Sequence, residues 1–121
     1  MENVEGSFNI KEERNGDVLI LRPGGRLDAI TSPSMELQIF NMINKGQIKL
    51  LLDLKDIGYL SSAGMRMLLS ITKKLRPVFG KMVLCSVTPN VMDVLKMSGF
   101  DHVLLICLTE EEALRQFGQG S

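Results

Sequence analysis

Three short apolar runs govern what this chain can fold into: "IKLLLDL" from Ile48, "KMVLCSV" from Lys81 and "HVLLICL" from His102. Each is too short for a core helix and nearly unbroken by polar residues. A strand with that pattern is covered on both faces, which is the condition of a strand inside a parallel sheet. Parallel neighbours need crossover connections, and helical patterns stand in the gaps. Met65, Leu68, Leu69, Thr72 and Leu75 fall on one helical stripe, and Pro77 ends it. Val91, Val94, Leu95 and Ser98 mark another, closed by Gly99. Strands alternating with helices predict right-handed crossovers and a parallel sheet.

The amino-terminal third reads differently. "FNIKEERNGDVLILRPGG" predicts a β-hairpin turning at Asn15-Gly16, where both positions tolerate positive φ. Gly24-Gly25 is read as the break that ends the second strand. Ser32 followed by Pro33 predicts an N-cap with proline at the first helical position. Met35, Ile39, Met42 and Ile43 share one face of that helix, and Gly46 stands where its C-terminal cap belongs. Thr88-Pro89 repeats the cap-then-proline signal. Thr109 and Glu112 have capping-box spacing at the start of a fourth helix, with Glu110 to Glu112 as first-turn acids. The expected fold is a single small α/β domain over residues 1–121: an N-terminal hairpin added to parallel strands in a mixed sheet, with about four helices. Residues 118–121 are expected to fray.

Charge narrows the function. Fourteen basic residues balance fourteen acidic ones, so there is no cationic excess of the kind that displaces counterions from nucleic acid. The amino terminus lacks a basic and apolar signal region, and no apolar run reaches the length of a membrane span. A cytoplasmic protein is the expectation, with neither nucleic acid nor membrane as a partner. Cys85 and Cys107 lie in apolar runs and read as small core hydrophobes. Together with the lone His102 they have no metal-ligand spacing, and no metal or cofactor is expected.

The stretch "YLSSAGMRMLL", residues 59–69, carries the functional question. A nucleophile elbow needs Gly-x-Ser-x-Gly, and Leu60 stands where Ser62 would need its first glycine. The one histidine, His102, opens a predicted strand with no acid placed by a recognisable motif to orient it. A phosphate cradle of the P-loop kind needs a glycine-rich run ending in Lys-Ser or Lys-Thr, which is absent. Two readings survive. A serine at the helix start can cap an orphan N–H, worth about 1 kcal/mol. A hydroxyl at a strand-to-helix junction can also carry a phosphate, which would face the positive end of the helix dipole. Arg66 lies one turn beyond Ser62 and could pair with that phosphate.

At these residues the chain resembles the STAS domain of the bacterial anti-sigma factor antagonist group. "GGRLDAITSP" resembles the family's Gly-x-Leu-Asp segment, "LLLDLKDIGYLSSAGMRMLL" its central strand, turn and phosphorylatable serine, and "GKMVLCSVTPNVMDVLKMSGFDHVL" the segment ending in Ser-Gly. The family motif is often Asp-Ser-Ser-Gly or Asp-Ser-Thr-Gly. Aligned on Gly64, Ser61 takes the place of the Asp, Ser62 that of the phosphorylated serine, and Ala63 that of the next hydroxyl. Asp28 matches the family's Asp after Leu, near the partner surface.

The resemblance implies a switch and not an enzyme. The unphosphorylated form would bind an anti-sigma factor that is also a serine kinase, freeing a sigma factor. Phosphorylation of Ser62 would dissolve the complex, and a metal-dependent serine phosphatase would reset it. The ATP and the metal would belong to those partners. The candidate partner-binding residues are Asp28, Ser61, Ser62, Gly64, Arg66 and Met67. Met67 reads as the edge of its stripe, suited either to an adaptable docking surface or to semi-buried packing, whereas Met65 reads as core. The alternative is a STAS scaffold or partner module that is never phosphorylated, for which Ser62→Ala and Ser62→Asp would leave binding unchanged. An enzyme acting through Ser62 ranks last.

Overall fold

A computed structural model of the chain describes residues 8–118. The expected fraying of 118–121 falls, beyond Gly118, outside them. Strand β1 (Ile10–Asn15) and β2 (Val18–Leu27) form the hairpin, followed by α1 (Ser32–Asn44), β3 (Lys49–Asp53) and β4 (Asp56–Leu60). Then come α2 (Ser62–Leu75), β5 (Lys81–Cys85), α3 (Pro89–Ser98), β6 (Leu105–Cys107) and α4 (Glu110–Arg115). The main sheet runs β1-β2-β3-β5-β6, antiparallel at β1–β2 and parallel elsewhere. This is the mixed sheet with four helices that the alternation predicts.

Side-chain alternation in the central strands splits the interior in two. Leu19, Leu21, Leu50, Leu52, Met82 and Leu84 point into a core closed by α1, α2 and α3. Their sequence neighbours Val18, Ile20, Leu51, Val83 and Cys85 point the other way, against Ala113 of α4. Both sets are buried, which is why these strands read as continuous apolar runs.

The six-residue α4 is tied to its face by charge as well as by packing. The Arg22 guanidinium reaches Glu13, Asp53 and Glu110, with 2.7 Å to the Glu110 carboxylate. Asp53 is only 3% exposed, so a partner for its charge is required. The Thr109 hydroxyl accepts the Glu112 N–H at 3.1 Å, and the Glu112 carboxylate accepts the Leu108 N–H at 3.2 Å. The return bond of the capping box therefore lands one residue before the cap.

Several local expectations are corrected. The hairpin turns at Gly16-Asp17, because Asn15 pairs with Val18 and only Gly16 of the turn pair takes positive φ. Strand β2 does not stop at Gly24-Gly25. It runs through them, with Gly25 at φ +108, and its last residues change partner from β3 to β4. Strand β4 departs from the sequence pattern: "DIGYL" falls in the stretch between the central strand and the serines, yet it pairs parallel with Gly24–Leu27 across a bulge that skips Gly58. Ser32 is not a capping side chain. Thr31 occupies the N-cap position, but its hydroxyl does not cap the helix, and the Ser32 hydroxyl is buried without a partner among the described residues. Thr88 does not cap α3 with its hydroxyl either; it donates to the Ile57 carbonyl at 2.9 Å and fastens β4 to the α3 junction. His102 opens no strand. It lies in a 3-10 turn, Phe100–His102, and β6 starts at Leu105.

Candidate functional site

Strand β4 delivers the serine pair to the rim of the sheet. Ser61 keeps an extended backbone, and its N–H donates to the Leu27 carbonyl at 2.9 Å. Its side-chain oxygen then accepts the Gly64 N–H at 3.3 Å, and its carbonyl accepts the Met65 N–H at 3.0 Å. Ser61 is thus the cap of α2. The cap and the second hydroxyl are separate residues, so the two surviving readings of the sequence do not compete. Ser62 is the first helical residue and is exposed, and among the described residues no hydrogen bond engages its hydroxyl.

Gly64 stands where there is no room for a side chain. A Cβ built on it would stand 2.6 Å from Leu60 Cδ1 and 2.8 Å from the Leu27 carbonyl oxygen. The first turn of α2 therefore lies against the end of β2, and only a hydrogen fits between them. That close approach fixes where Ser62 emerges.

The same strand end carries Asp28. Its carboxylate accepts the N–H groups of Ile30 and Thr31, each at 3.0 Å. The Thr31 hydroxyl donates to the Arg26 carbonyl at 2.6 Å and accepts the Asp28 N–H at 3.0 Å. Hydrogen bonding from Thr31 holds the Asp28 carboxyl below the usual aspartate range, with the Ile30 N–H acting in the same direction. Asp28 thus organises the β2–α1 loop that flanks the serines.

Arg66 is exposed one turn beyond Ser62. With Ala29, Ser32, Glu36, Ala63 and Ser70 it lines a groove of about 320 Å³ between α1 and α2. Met67 lies at the bottom of that groove and is 3% exposed, within the α1–α3 core. It is Met65 that stays half-buried, its sulfur 3.2 Å from the Ser98 hydroxyl. The helical phase of α2 reverses the roles read for the two methionines.

Sequence reading missed three surface residues beside the serines. Ile30 is 71% exposed. The Arg26 guanidinium stacks over the Tyr59 ring, 4.0 Å from its centroid, and both side chains are exposed. Their partnership follows from the β2–β4 register, which pairs Arg26 with Tyr59. Without β4 nothing in the sequence signalled it. His102 is exposed, 3.9 Å from Asp101, and forms no hydrogen bond with either serine. Among the described residues no three His, Cys, Asp or Glu side chains converge on a metal position, and no helix is long and apolar enough to cross a membrane.

The STAS domain model matches residues 9–113. This chain belongs to the STAS domain family. It is 33% identical over 93 residues to BtrV of Bordetella bronchiseptica, covering 77% of this chain and 80% of that one. It is 32% identical over 111 residues to the anti-sigma F factor antagonist of Paenibacillus polymyxa, covering 91% and 95%. Among solved structures, the anti-sigma factor antagonist SpoIIAA in its unphosphorylated form superposes with a TM-score of 0.70 at 17% identity, covering 95% of this chain and 100% of that one. The phosphorylated form of the Bacillus SpoIIAA gives a TM-score of 0.68 at 21% identity, covering 92% and 99%. At those identities the likeness is one of fold.

Proposed function

We propose that this STAS protein is an anti-sigma factor antagonist switched by phosphorylation of Ser62. In its unphosphorylated form it binds an anti-sigma factor that is also a serine kinase, and the sigma factor is released. The kinase places a phosphate on Ser62 and the complex dissolves; a serine phosphatase removes the phosphate. The protein acts in the cytoplasm as the substrate of those two enzymes and is not itself an enzyme.

The observation that carries this reading is the division of labour at the start of α2. Ser61 satisfies the helix, which leaves the exposed Ser62 hydroxyl unused by the fold. A phosphate there brings a charge of about −1.5 to −2 at neutral pH. It sits at the positive end of the 14-residue α2, with Arg66 one turn away. The folded domain accommodates that charge. A protein docked over Asp28, Ser61, Ser62 and Arg66 would have to bury it, which is costly without a matching cation. Gly64 enters this surface only by setting the position of the first turn. Met67 lies beneath the surface, and the adjoining exposed groups are Ile30 and the Arg26–Tyr59 pair. The name of the Paenibacillus polymyxa relative, an anti-sigma F factor antagonist, supports the same reading.

The test is incubation with the anti-sigma kinase of the same organism and ATP, followed by peptide mapping. One phosphate on Ser62, with loss of the kinase complex, is the expected result. Phosphate on another residue, or a complex that survives in the Ser62→Asp protein, would overturn the assignment.

A further inference from the structure

We propose that Cys85 and Cys107 together form a two-thiolate site for a soft divalent d10 cation of the mercury(II) class. The sequence separates these residues by a whole helix, and only the pairing of β5 with β6 makes them neighbours. They are register partners, Cys85 opposite Cys107, and both belong to the α4-side cluster. Paired strands lie about 4.7–4.9 Å apart. Metal–thiolate bonds are about 2.3 Å long, so a linear sulfur–metal–sulfur bridge spans about 4.6 Å, close to that spacing. A disulfide fits less well, since it draws its β-carbons to about 3.8 Å.

The surroundings favour the same occupant. Binding releases both protons to solvent: one M²⁺ and two R–SH give R–S–M–S–R and two H⁺. The product is neutral, which suits a site where Cys85 is wholly buried and the carboxylates of Asp53, Glu110 and Glu112 lie nearby. A monovalent cation would leave a negative complex beside those carboxylates, although Arg22 neutralises part of their charge. Cys107 is the less buried of the two and meets the ion first, and Cys85, wholly buried, closes the bridge beneath α4.

The experiment is titration of the full-length reduced protein with mercury(II) chloride, then exchange into buffer containing a millimolar monothiol. The readouts are native mass spectrometry and a free-thiol assay. One metal retained per monomer, with both thiols lost, is the expected outcome, and Cys107→Ser and Cys85→Ala should each retain none. Folding of each variant is checked by circular dichroism, and the half-exposed Cys107 position is the milder change. Retention by either variant, two metals per monomer, a dimer bridged by one metal, or a metal-free disulfide would each overturn the proposal.

Discussion

The α-carbon of Gly64 lies so close to Leu27 that a methyl group on it would stand 2.8 Å from the Leu27 carbonyl oxygen. That oxygen already accepts the Ser61 N–H at 2.9 Å, so it cannot move away without loosening the serine junction. Helix propensity alone favours Gly64→Ala by about 1 kcal/mol. Overpacking against fixed backbone costs about 1–3 kcal/mol and should win. Urea denaturation of the Gly64→Ala protein should show a lower midpoint with an unchanged slope. A midpoint equal to or above wild type would contradict the close approach.

Ser61 and Ser62 should separate stability from modification. Ser61→Ala removes the side-chain cap, and because the bond is long at 3.3 Å the loss should fall near about 0.5–1 kcal/mol. Ser61→Asp should recover it. Ser62→Ala should change stability by less than about 0.5 kcal/mol, as expected for an exposed side chain without a partner. Thermal melts of the three proteins decide the matter, and a large loss at Ser62 would place the cap on the wrong residue.

The two methionines of α2 should respond in the order opposite to their sequence reading. Met67→Ala empties a core position and should cost about 2–4 kcal/mol. Met65→Ala trims a half-buried contact near Ser98 and should cost about 1 kcal/mol. Equal losses in paired denaturation curves would mean that α2 is rotated from its position here.

Asp28 should titrate low. Its folded pKa lies below the unfolded aspartate value of about 3.9, because the carboxylate accepts N–H bonds that the acid form accepts weakly. A depressed folded pKa means the stabilisation is present above the unfolded value and is lost as pH falls through the folded one. Carboxyl-detected NMR titration should therefore give a midpoint for Asp28 below that of a model aspartate. Asp28→Asn should remove this contribution to acid sensitivity. A midpoint at or above the model value would refute the turn geometry.

The sequence by itself determined the main strands, the four helices and the serine pair at a helix start, because those features are local. Continuous apolar runs of strand length have no stable place except between two covered layers. A serine before an apolar helical stripe must meet orphan N–H groups wherever the helix packs. The sequence placed Arg66 one turn beyond Ser62, while Asp28 entered through the family resemblance, as a residue near the partner surface. What it left open depended on register and phase. Only the folded chain made "DIGYL" a strand, because its partner is the tail of β2, some thirty residues earlier, which two glycines carry through rather than end. That pairing set Arg26 over Tyr59 and pressed Gly64 onto Leu27. The rotation of α2 then turned Met67 inward and left Met65 near the surface. Contacts between residues far apart in the chain chose among options that the local pattern held nearly equal in energy.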